Sequence, residues 1–268
     1  MLSSASTGPL DDVEFLVRSE HRVDALGALA TRPRTRADLL SLTGVSQSTI
    51  GRTLRAFEDR NWIRRNGKYY EATKPGAFVA VGVRELLDRV ETERRLRDVW
   101  RLLPNEADGF GIEMCTDAVV TVARAADPYG PVNRFASLLE ETDRLRFVGF
   151  DVSLLAPCVD EFCRALDAGM ETELIESPGV VGRIHETCPE QFADRLSGGD
   201  LTVSVHDALP AFGVGILDTR VAISGCDPDS GAVAVLVDTE DPVARAWAAS
   251  LYESYRREAT PIGLEPTA

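Results

Sequence analysis

The chain has 268 residues, 44 % of them hydrophobic, and a formal net charge of -14. This length favours two domains over one minimal module, and the hydrophobic content is sufficient for a buried core. The sequence contains no apolar run of about 18 residues and no secretory signal in its first residues, MLSSASTGPLDD. We therefore expect a cytoplasmic protein that does not span a membrane.

The charge is distributed unevenly along the chain. Residues 1–75 hold 12 Lys or Arg and 9 Asp or Glu, whereas the remaining 193 residues hold 17 and 34. This pattern describes a mildly basic head on an acidic body, and it predicts that nucleic acid contacts the head alone. Lys68 and Lys74 are the two lysines of the chain. Scarce lysine with abundant acid is typical of proteins from salt-loving archaea, although high-GC bacteria also favour arginine.

The head begins with helical patterns. Residues 12–30 carry an apolar stripe that predicts one helix, with a break near Ser19. Thr35 is the predicted N-cap of a helix at residues 36–42, which Gly44 ends.

A third predicted helix follows, with Ser46 as its N-cap. Its buried face consists of residues spaced four and three apart, Ile50, Leu54 and Phe57. The stretch NWIRRNGKYYEAT then predicts two strands joined by a turn at Asn66 and Gly67. Three helices followed by a hairpin predict a winged helix-turn-helix, with the hairpin as its wing.

Residues 78–103 form a long helical pattern with a charged middle, and Pro104 ends it. The body alternates predicted strands and helices, which indicates an α/β domain with a mixed sheet. Predicted strands lie at 119–123, 145–150, 171–175, 201–205, 213–217, 221–224 and 232–237, and predicted helices at 132–143, 157–168, 190–196 and 242–255. We therefore expect a DNA-binding domain at 1–75, a connecting or dimerisation helix at 76–104, and an α/β effector domain at 105–268.

The head contains the candidate DNA-binding residues. A recognition helix directs exposed side chains of its first turns at base edges, where Gln can pair with adenine and Arg with guanine. Gly51 allows a close approach, and the wing tip can contact phosphates. The predicted set is Arg34, Arg36, Ser46, Gln47, Ser48, Thr49, Arg52, Arg55, Arg65 and Lys68. The alternative is a solvated helix-turn-helix that contacts proteins instead of DNA.

The stretch TRADLLSLTGVSQSTIGRTLRAFEDRNWIRRNGKYYEATKPG resembles the winged-helix domain of archaeal transcriptional regulators, including the sugar-responsive TrmB type. The body, with GVGILDTRVAISG and LYESYR, is similar to effector domains of haloarchaeal and methanogen regulators of the FilR1 type. These effector domains resemble the phospholipase D fold, whose catalytic motif is HxKxxxxD. The segment VHDALPAFG provides His206 but no lysine, and no lysine follows Lys74. We therefore expect no catalytic residue, and we predict no metal site and no cofactor.

Polar residues follow three predicted strands of the body, where pockets form in open α/β sheets. The candidate ligand-binding residues are Asp151, Ser153, Glu176, Ser177, Arg183 and His206. The alternative is that Asp151, Ser153 and Ser177 cap helices. The resemblance implies a sugar, a sugar phosphate or a similar metabolite as the ligand.

These observations predict a homodimeric transcriptional regulator that binds double-stranded promoter or operator DNA and responds to a small metabolite. One alternative is a redox-responsive regulator that uses Cys158 or Cys163. Another is a winged-helix interaction module that does not bind DNA.

Overall fold

The computed structural model describes residues 8–104, 109–149, 158–187, 196 and 198–262, with the backbone alone at 183–187. The chain divides into two compact units, Met1–Glu91 and Thr92–Ala268. No helix in the described ranges is both long enough and apolar enough to cross a membrane.

The described part of the first unit begins with the helices α1 (Pro9–Val17), α2 (Glu20–Thr31), α3 (Arg36–Thr43) and α4 (Gln47–Asp59). The expected break near Ser19 is present, because Ser19 is the extended N-cap residue of α2. The hydroxyl groups of Thr35 and Ser46 each accept a hydrogen bond from a backbone N–H in the first turn of α3 and α4. Gly44 ends α3 with a φ of 66°, a left-handed conformation that glycine adopts without strain.

A three-stranded sheet lies beside these helices, in the order β1 (Arg34–Thr35), β3 (Tyr69–Ala72), β2 (Ile63–Asn66). The antiparallel pair β2 and β3 is the expected wing. Asn66 ends β2 instead of occupying the turn, because Gly67 and Lys68 form the two-residue connection. Gly67 has a φ of 59°, which suits the first central position of such a turn. Strand β1 has two residues and lies outside the expected elements.

Helix α5 spans Lys74–Leu96, not 78–103 as expected. Pro75 lies in the first turn of α5, where a backbone N–H has no partner within the helix, so its absence costs no hydrogen bond. Proline therefore begins this helix instead of separating it from the wing. Gly76 allows a close approach to the residue that precedes β2. A Cβ atom at position 76 would lie 1.8 Å from the Trp62 carbonyl oxygen.

The last part of the expected helix has a different structure. After α5 the chain tightens into a 3₁₀ turn at Trp100–Leu102. Leu96, Val99 and Leu103 are buried in the core of the second unit. The apolar residues of this segment are therefore spaced for burial against a sheet, and they do not extend the helix.

The second unit contains a mixed eight-stranded sheet, which confirms the expected α/β class. Its strands are β4 (Val119–Val122), β5 (Arg144–Val148), β6 (Glu171–Glu176), β7 (Leu201–Val205), β8 (Phe212–Leu217), β9 (Arg220–Cys226), β10 (Val233–Thr239) and β11 (Thr260–Pro261). The spatial order is β11-β7-β6-β5-β8-β9-β10-β4. Strands β5, β6 and β7 are parallel, and the other neighbouring pairs are antiparallel.

Helices cover both faces of this sheet: α6 (Gly130–Leu139), α7 (Val159–Asp167), α8 (Pro178–Thr187) and α9 (Pro242–Glu258). Leu174 of β6 belongs to a core cluster with residues of α6 and α7. Its neighbour Ile175 belongs to the cluster on the other face, with residues of α9. Helix α8 was not expected, since Gly179 and Gly182 weaken its helical pattern. The helix expected at 190–196 lies outside the described residues except for position 196.

Candidate nucleic-acid interface

Helix α4 has one buried face and one exposed face. Ile50, Leu54 and Phe57 are at most 2 % exposed, which confirms the predicted core face. Gln47 and Arg52 are exposed. Residues 42–57 contain no Asp or Glu, so this exposed face presents polar and basic groups without a competing carboxylate of its own.

Three hydroxyl groups gather at the N-terminus of α4. Ser46 Oγ lies 2.9 Å from Ser48 Oγ and 3.0 Å from Thr49 Oγ1. It also accepts a hydrogen bond from the Thr49 backbone N–H at 3.3 Å, so Ser46 acts mainly as the helix cap. The partial positive charge of a helix N-terminus favours anions. This first turn is therefore suited to a phosphate group.

Arg36 of α3 lies against the start of α4. Its guanidinium group donates a hydrogen bond to the Gln47 carbonyl oxygen. A Cβ atom at position 51 would lie 2.7 Å from Arg36 Nη2. Arg36 thus occupies the space beside Gly51. Because position 51 has no side chain, the positive charge of Arg36 can lie next to the exposed face of α4.

Two further arginines of α4 add to this charge. Arg52 and Arg55 are exposed, and Arg55 Nε donates to the Gly51 carbonyl oxygen at 3.2 Å. Burial lowers the pKa of Arg22, and the nearby charges of Arg18, Arg60 and Arg52 lower it further. The charge of Arg22 thus lies close enough to those of Arg18, Arg60 and Arg52 to be repelled by them.

The basic residues of the wing differ in whether they form an ion pair. Arg64 is paired with Glu71 of the neighbouring strand, with Nε and Oε1 2.6 Å apart. Arg65 Nε donates to the Gly67 carbonyl oxygen at 2.9 Å, and Lys68 Nζ lies 5.4 Å from the Tyr69 ring centroid. Within the described part of the chain, Arg65 and Lys68 form no ion pair. Their charges are therefore available to phosphates.

Arg34 lies elsewhere. Its half-buried side chain lines a cavity of about 750 Å³ together with residues of α2 and α5, including Asp24 and Arg84. Successive side chains of a strand point to opposite sides, and the next residue, Thr35, caps α3. The structure therefore does not bring Arg34 to the exposed face of α4. Of the other nine predicted residues, Arg36 lies against the start of α4, and the rest belong to α4, its N-cap or the wing.

The predicted ligand-binding residues of the second unit likewise do not all lie at one cavity. Ser177 lines a cavity of about 310 Å³ at the carboxyl ends of β5 and β6, together with Gly149 and Ser224. Glu176 is fully buried. Asp151 and Ser153 lie outside the described residues, and the side chain of Arg183 is likewise not described.

His206 follows β7, and its backbone N–H donates to the Glu176 carbonyl oxygen at 3.0 Å. The imidazole ring, however, packs against Tyr255 of α9, with ring centroids 5.1 Å apart. Glu176 shares the face of Leu174, on the side of α6 and α7, because alternate residues of a strand share a face. The two strand ends are neighbours, but the side chains of Glu176 and His206 lie on opposite faces of the sheet.

Two of the buried cysteines have weakly reactive thiols in this geometry. Burial raises the pKa of the thiols of Cys115 and Cys158 to about 12, which keeps them in the weakly nucleophilic thiol form at neutral pH. Across the described ranges, no cluster of three or more His, Cys, Asp or Glu could hold a metal ion.

Residues 10–95 match the family model of the HVO_A0261 N-terminal domain. Residues 128–258 match the middle domain of the methanogenesis regulatory protein FilR1. No curated protein matches the chain significantly.

Several solved structures are similar at low identity. TrmBL2, an archaeal chromatin protein with a novel mode of DNA binding, is 18 % identical over 94 % of this chain and 99 % of its own, with a TM-score of 0.46. HmgR from Pseudomonas aeruginosa is 13 % identical over 92 % and 97 %, with a TM-score of 0.26. The dimethyltransferase RosA from Streptomyces davawensis is 19 % identical over 73 % and 63 %, with a TM-score of 0.24.

The two family models cover the wing-bearing head and most of the sheet-bearing body. Residues 10–95 are therefore similar to an HVO_A0261 N-terminal domain, and residues 128–258 to a FilR1 middle domain.

Proposed function

We propose that this protein is a transcriptional regulator that binds specific DNA sequences through α4 and the wing. The observation that carries the proposal is the exposed face of α4, where Gln47, Ser48 and Arg52 project from a segment without acidic residues. Arg36, held in the space at Gly51, adds a fixed positive charge. The match to a domain of a regulatory protein supports the same assignment.

Each group has a defined part in this proposal. Gln47 and Arg52 contact base edges in the major groove, where Gln pairs with adenine and Arg with guanine. Ser48, Thr49, Arg36 and the wing contact phosphates, which position the protein without reading sequence.

The second unit senses a small metabolite in this proposal. The cavity beside Ser177 has a volume of about 310 Å³, near the lower end of the ~300–1,000 Å³ range of ligand pockets. Hydroxyl groups of Ser177 and Ser224 and the apolar side chains of Val180 and Phe212 line it. This combination suits a small polyhydroxylated ligand such as a sugar.

The regulator functions as a homodimer in this proposal, because two-fold protein symmetry matches a pseudo-palindromic operator. Helix α5 contributes residues to both compact units. A ligand that favours one arrangement of the body would therefore change the affinity for DNA through this helix.

Selection of duplexes from a random library by the purified full-length protein tests DNA reading. We expect enrichment of one motif with two-fold related half-sites. The control is a variant with Gln47, Ser48 and Arg52 all changed to Ala, which should enrich no motif while retaining its circular dichroism spectrum. Equal enrichment by both proteins, or no enrichment by the wild type, would contradict the proposal.

Thermal unfolding with a panel of sugars and sugar phosphates tests sensing. Ala211 is exposed at the same cavity, so Ala211→Trp should block it. We expect a ligand that raises the unfolding temperature of the wild type and not of Ala211→Trp. A ligand that stabilises both proteins equally would place the binding site elsewhere.

A further inference from the structure

The two edges of the eight-stranded sheet differ. One edge is β11, which has two residues and includes Pro261. Short strands and proline protect a sheet edge from pairing with another chain. The other edge is β4, with the sequence VVTV and neither charge nor proline. An apolar, unprotected edge strand is a template for a further strand.

The hydrogen-bond pattern shows which backbone groups of β4 point outward. The Ala123 N–H donates to the Ala234 carbonyl oxygen of the β10 side at 2.8 Å. Bonded and non-bonded pairs alternate in an antiparallel ladder. Val119 and Thr121 therefore bond to β10, whereas Val120 and Val122 direct their N–H and C=O groups to the outer edge.

Both ends of this outer edge already have partners within the chain. The carbonyl oxygen of Ala118 accepts a hydrogen bond from Arg95 Nη1 at 2.7 Å. The backbone N–H and C=O of Arg124 exchange hydrogen bonds with Asp127 at 3.1 and 2.9 Å. Within the described residues, no hydrogen bond crosses this edge at Val120 or Val122, so four outward backbone groups remain.

We propose that a second copy of this chain pairs with β4 in antiparallel orientation, centred on Thr121. Two-fold symmetry then places Val120 opposite Val122 of the second copy, and Thr121 opposite its own equivalent. The four outward groups form four hydrogen bonds across this pair. The register ends where Ala118 and Arg124 are already bonded, so the open edge is complementary to itself.

The charges at the ends of the edge support a second copy as the occupant. Asp117 and Arg124 are exposed and lie on either side of the apolar centre. In this register Arg124 lies opposite Ala118 of the second copy, one position from its Asp117, so the end that carries Arg124 lies against the end that carries Asp117, whereas a parallel pair would place each end against its own equivalent. Pairs of opposite charge across strands are stabilising, and like charges are not.

This inference deepens the proposed function, since it locates the dimer contact of the regulator and rests on that proposal for its role on DNA. The central residue provides a direct test. A non-hydrogen-bonded antiparallel pair has Cα atoms about 4.5 Å apart, within the ~4.4–6.8 Å that a disulfide spans. We expect Thr121→Cys to form a covalent dimer of the full chain under mild oxidation.

Two proteins control for other cross-links. The wild type measures cross-linking by the native cysteines, and Ser137→Cys places a thiol on the exposed surface of α6. Both should remain monomeric on non-reducing gels. Absence of a covalent dimer in Thr121→Cys, or an equal yield in Ser137→Cys, would overturn the proposal.

Sedimentation of a second pair of variants gives an independent measurement. Val122→Pro removes one outward N–H without removing a bond to β10, whereas Val122→Ala keeps it. We expect the dimer dissociation constant to rise at least tenfold in Val122→Pro relative to Val122→Ala, and an equal constant would contradict the pairing. A cross-linked dimer that binds no DNA would overturn the proposed function alone, and DNA binding by a strict monomer would overturn the pairing alone.

Discussion

The guanidinium group of Arg36 occupies the space that a side chain at position 51 would fill. A Cβ atom at Gly51 would lie 2.7 Å from Arg36 Nη2, and the same group donates a hydrogen bond to the Gln47 carbonyl oxygen. Gly51 belongs to α4, the helix that we propose reads DNA. Its missing side chain therefore leaves the space in which the guanidinium group of Arg36, from α3, is positioned.

Substitution Gly51→Ala should separate stability from DNA binding. Alanine is favoured over glycine inside a helix by up to about 1 kcal/mol, and Arg36 is flexible enough to move away. We therefore expect unchanged or slightly increased stability to urea, with DNA affinity reduced several-fold because Arg36 loses its position. Urea unfolding and mobility-shift titration measure the two effects.

The matched control for this change is Gly27→Ala in α2, where no atom lies within 4 Å of the added Cβ. It should leave DNA affinity unaltered. If Gly51→Ala and Gly27→Ala bind DNA equally well, Arg36 has no part in binding.

The wing should contribute through phosphates. We expect Arg65→Ala and Lys68→Ala each to weaken binding to all duplexes and to reduce the slope of log affinity against log salt by about 0.9. Arg64→Ala should have a smaller effect, because Arg64 is already paired with Glu71 at 2.6 Å. Titrations at several salt concentrations measure these slopes, and an equal change for all three variants would refute the distinction.

The stability of the first unit should depend on the protonation of His21. Its Nε2 lies 3.2 Å from Thr53 Oγ1, and burial, followed by the charge of Arg22, lowers the pKa of His21 below 6.5. The unfolded chain therefore binds more protons than the folded chain between the two pKa values. Stability should fall as the pH falls through this window, and the loss is complete below the folded-state pKa.

Urea midpoints of the full chain between pH 7.5 and 5.5 measure this dependence. We expect a steeper fall for the wild type than for His21→Gln, which keeps a hydrogen-bonding group without the titration. Parallel curves would show that another residue is responsible.

Asp238 should be a major stabilising residue of the second unit. It is fully buried and accepts hydrogen bonds from Arg134 at 2.9 and 2.8 Å and from Arg220 at 2.7 Å. Removal of one partner from a buried ion pair costs ~3–5 kcal/mol. We expect about 2 kcal/mol for Asp238→Asn, because both arginine side chains reach solvent. Asp229→Asn, at an exposed position, is the control for urea unfolding, and an equal loss in both variants would contradict this role.

Local signals made the first unit predictable from the sequence. Thr35 and Ser46 cap their helices through residues three positions away, and Gly44 provides the left-handed residue that ends α3. Such signals depend on neighbours in the chain. They allow the winged head and the face of α4 to be identified without tertiary information.

Contacts between distant residues could not be predicted. Arg134 and Asp238 are 104 positions apart, and no periodicity in the sequence indicates that they meet. The pairing of Arg36 with Gly51 likewise depends on the packing of α3 against α4. Glu176 and His206 end neighbouring strands, but the face that each side chain occupies depends on a register that the strand patterns do not fix.

Reading of DNA sequence by α4 is tested by the ratio of two affinities, that for a selected operator over that for a scrambled duplex. The measurement compares wild type with Arg52→Ala, and uses Arg164→Ala in the second unit as a control of equal charge change. We predict that Arg52→Ala lowers this ratio by about tenfold, which corresponds to about 1.4 kcal/mol and lies within the ~1–3 kcal/mol of base discrimination that one good contact provides, while Arg164→Ala leaves it unchanged. Full sequence preference in Arg52→Ala, or an equal loss in Arg164→Ala, would contradict sequence reading by α4.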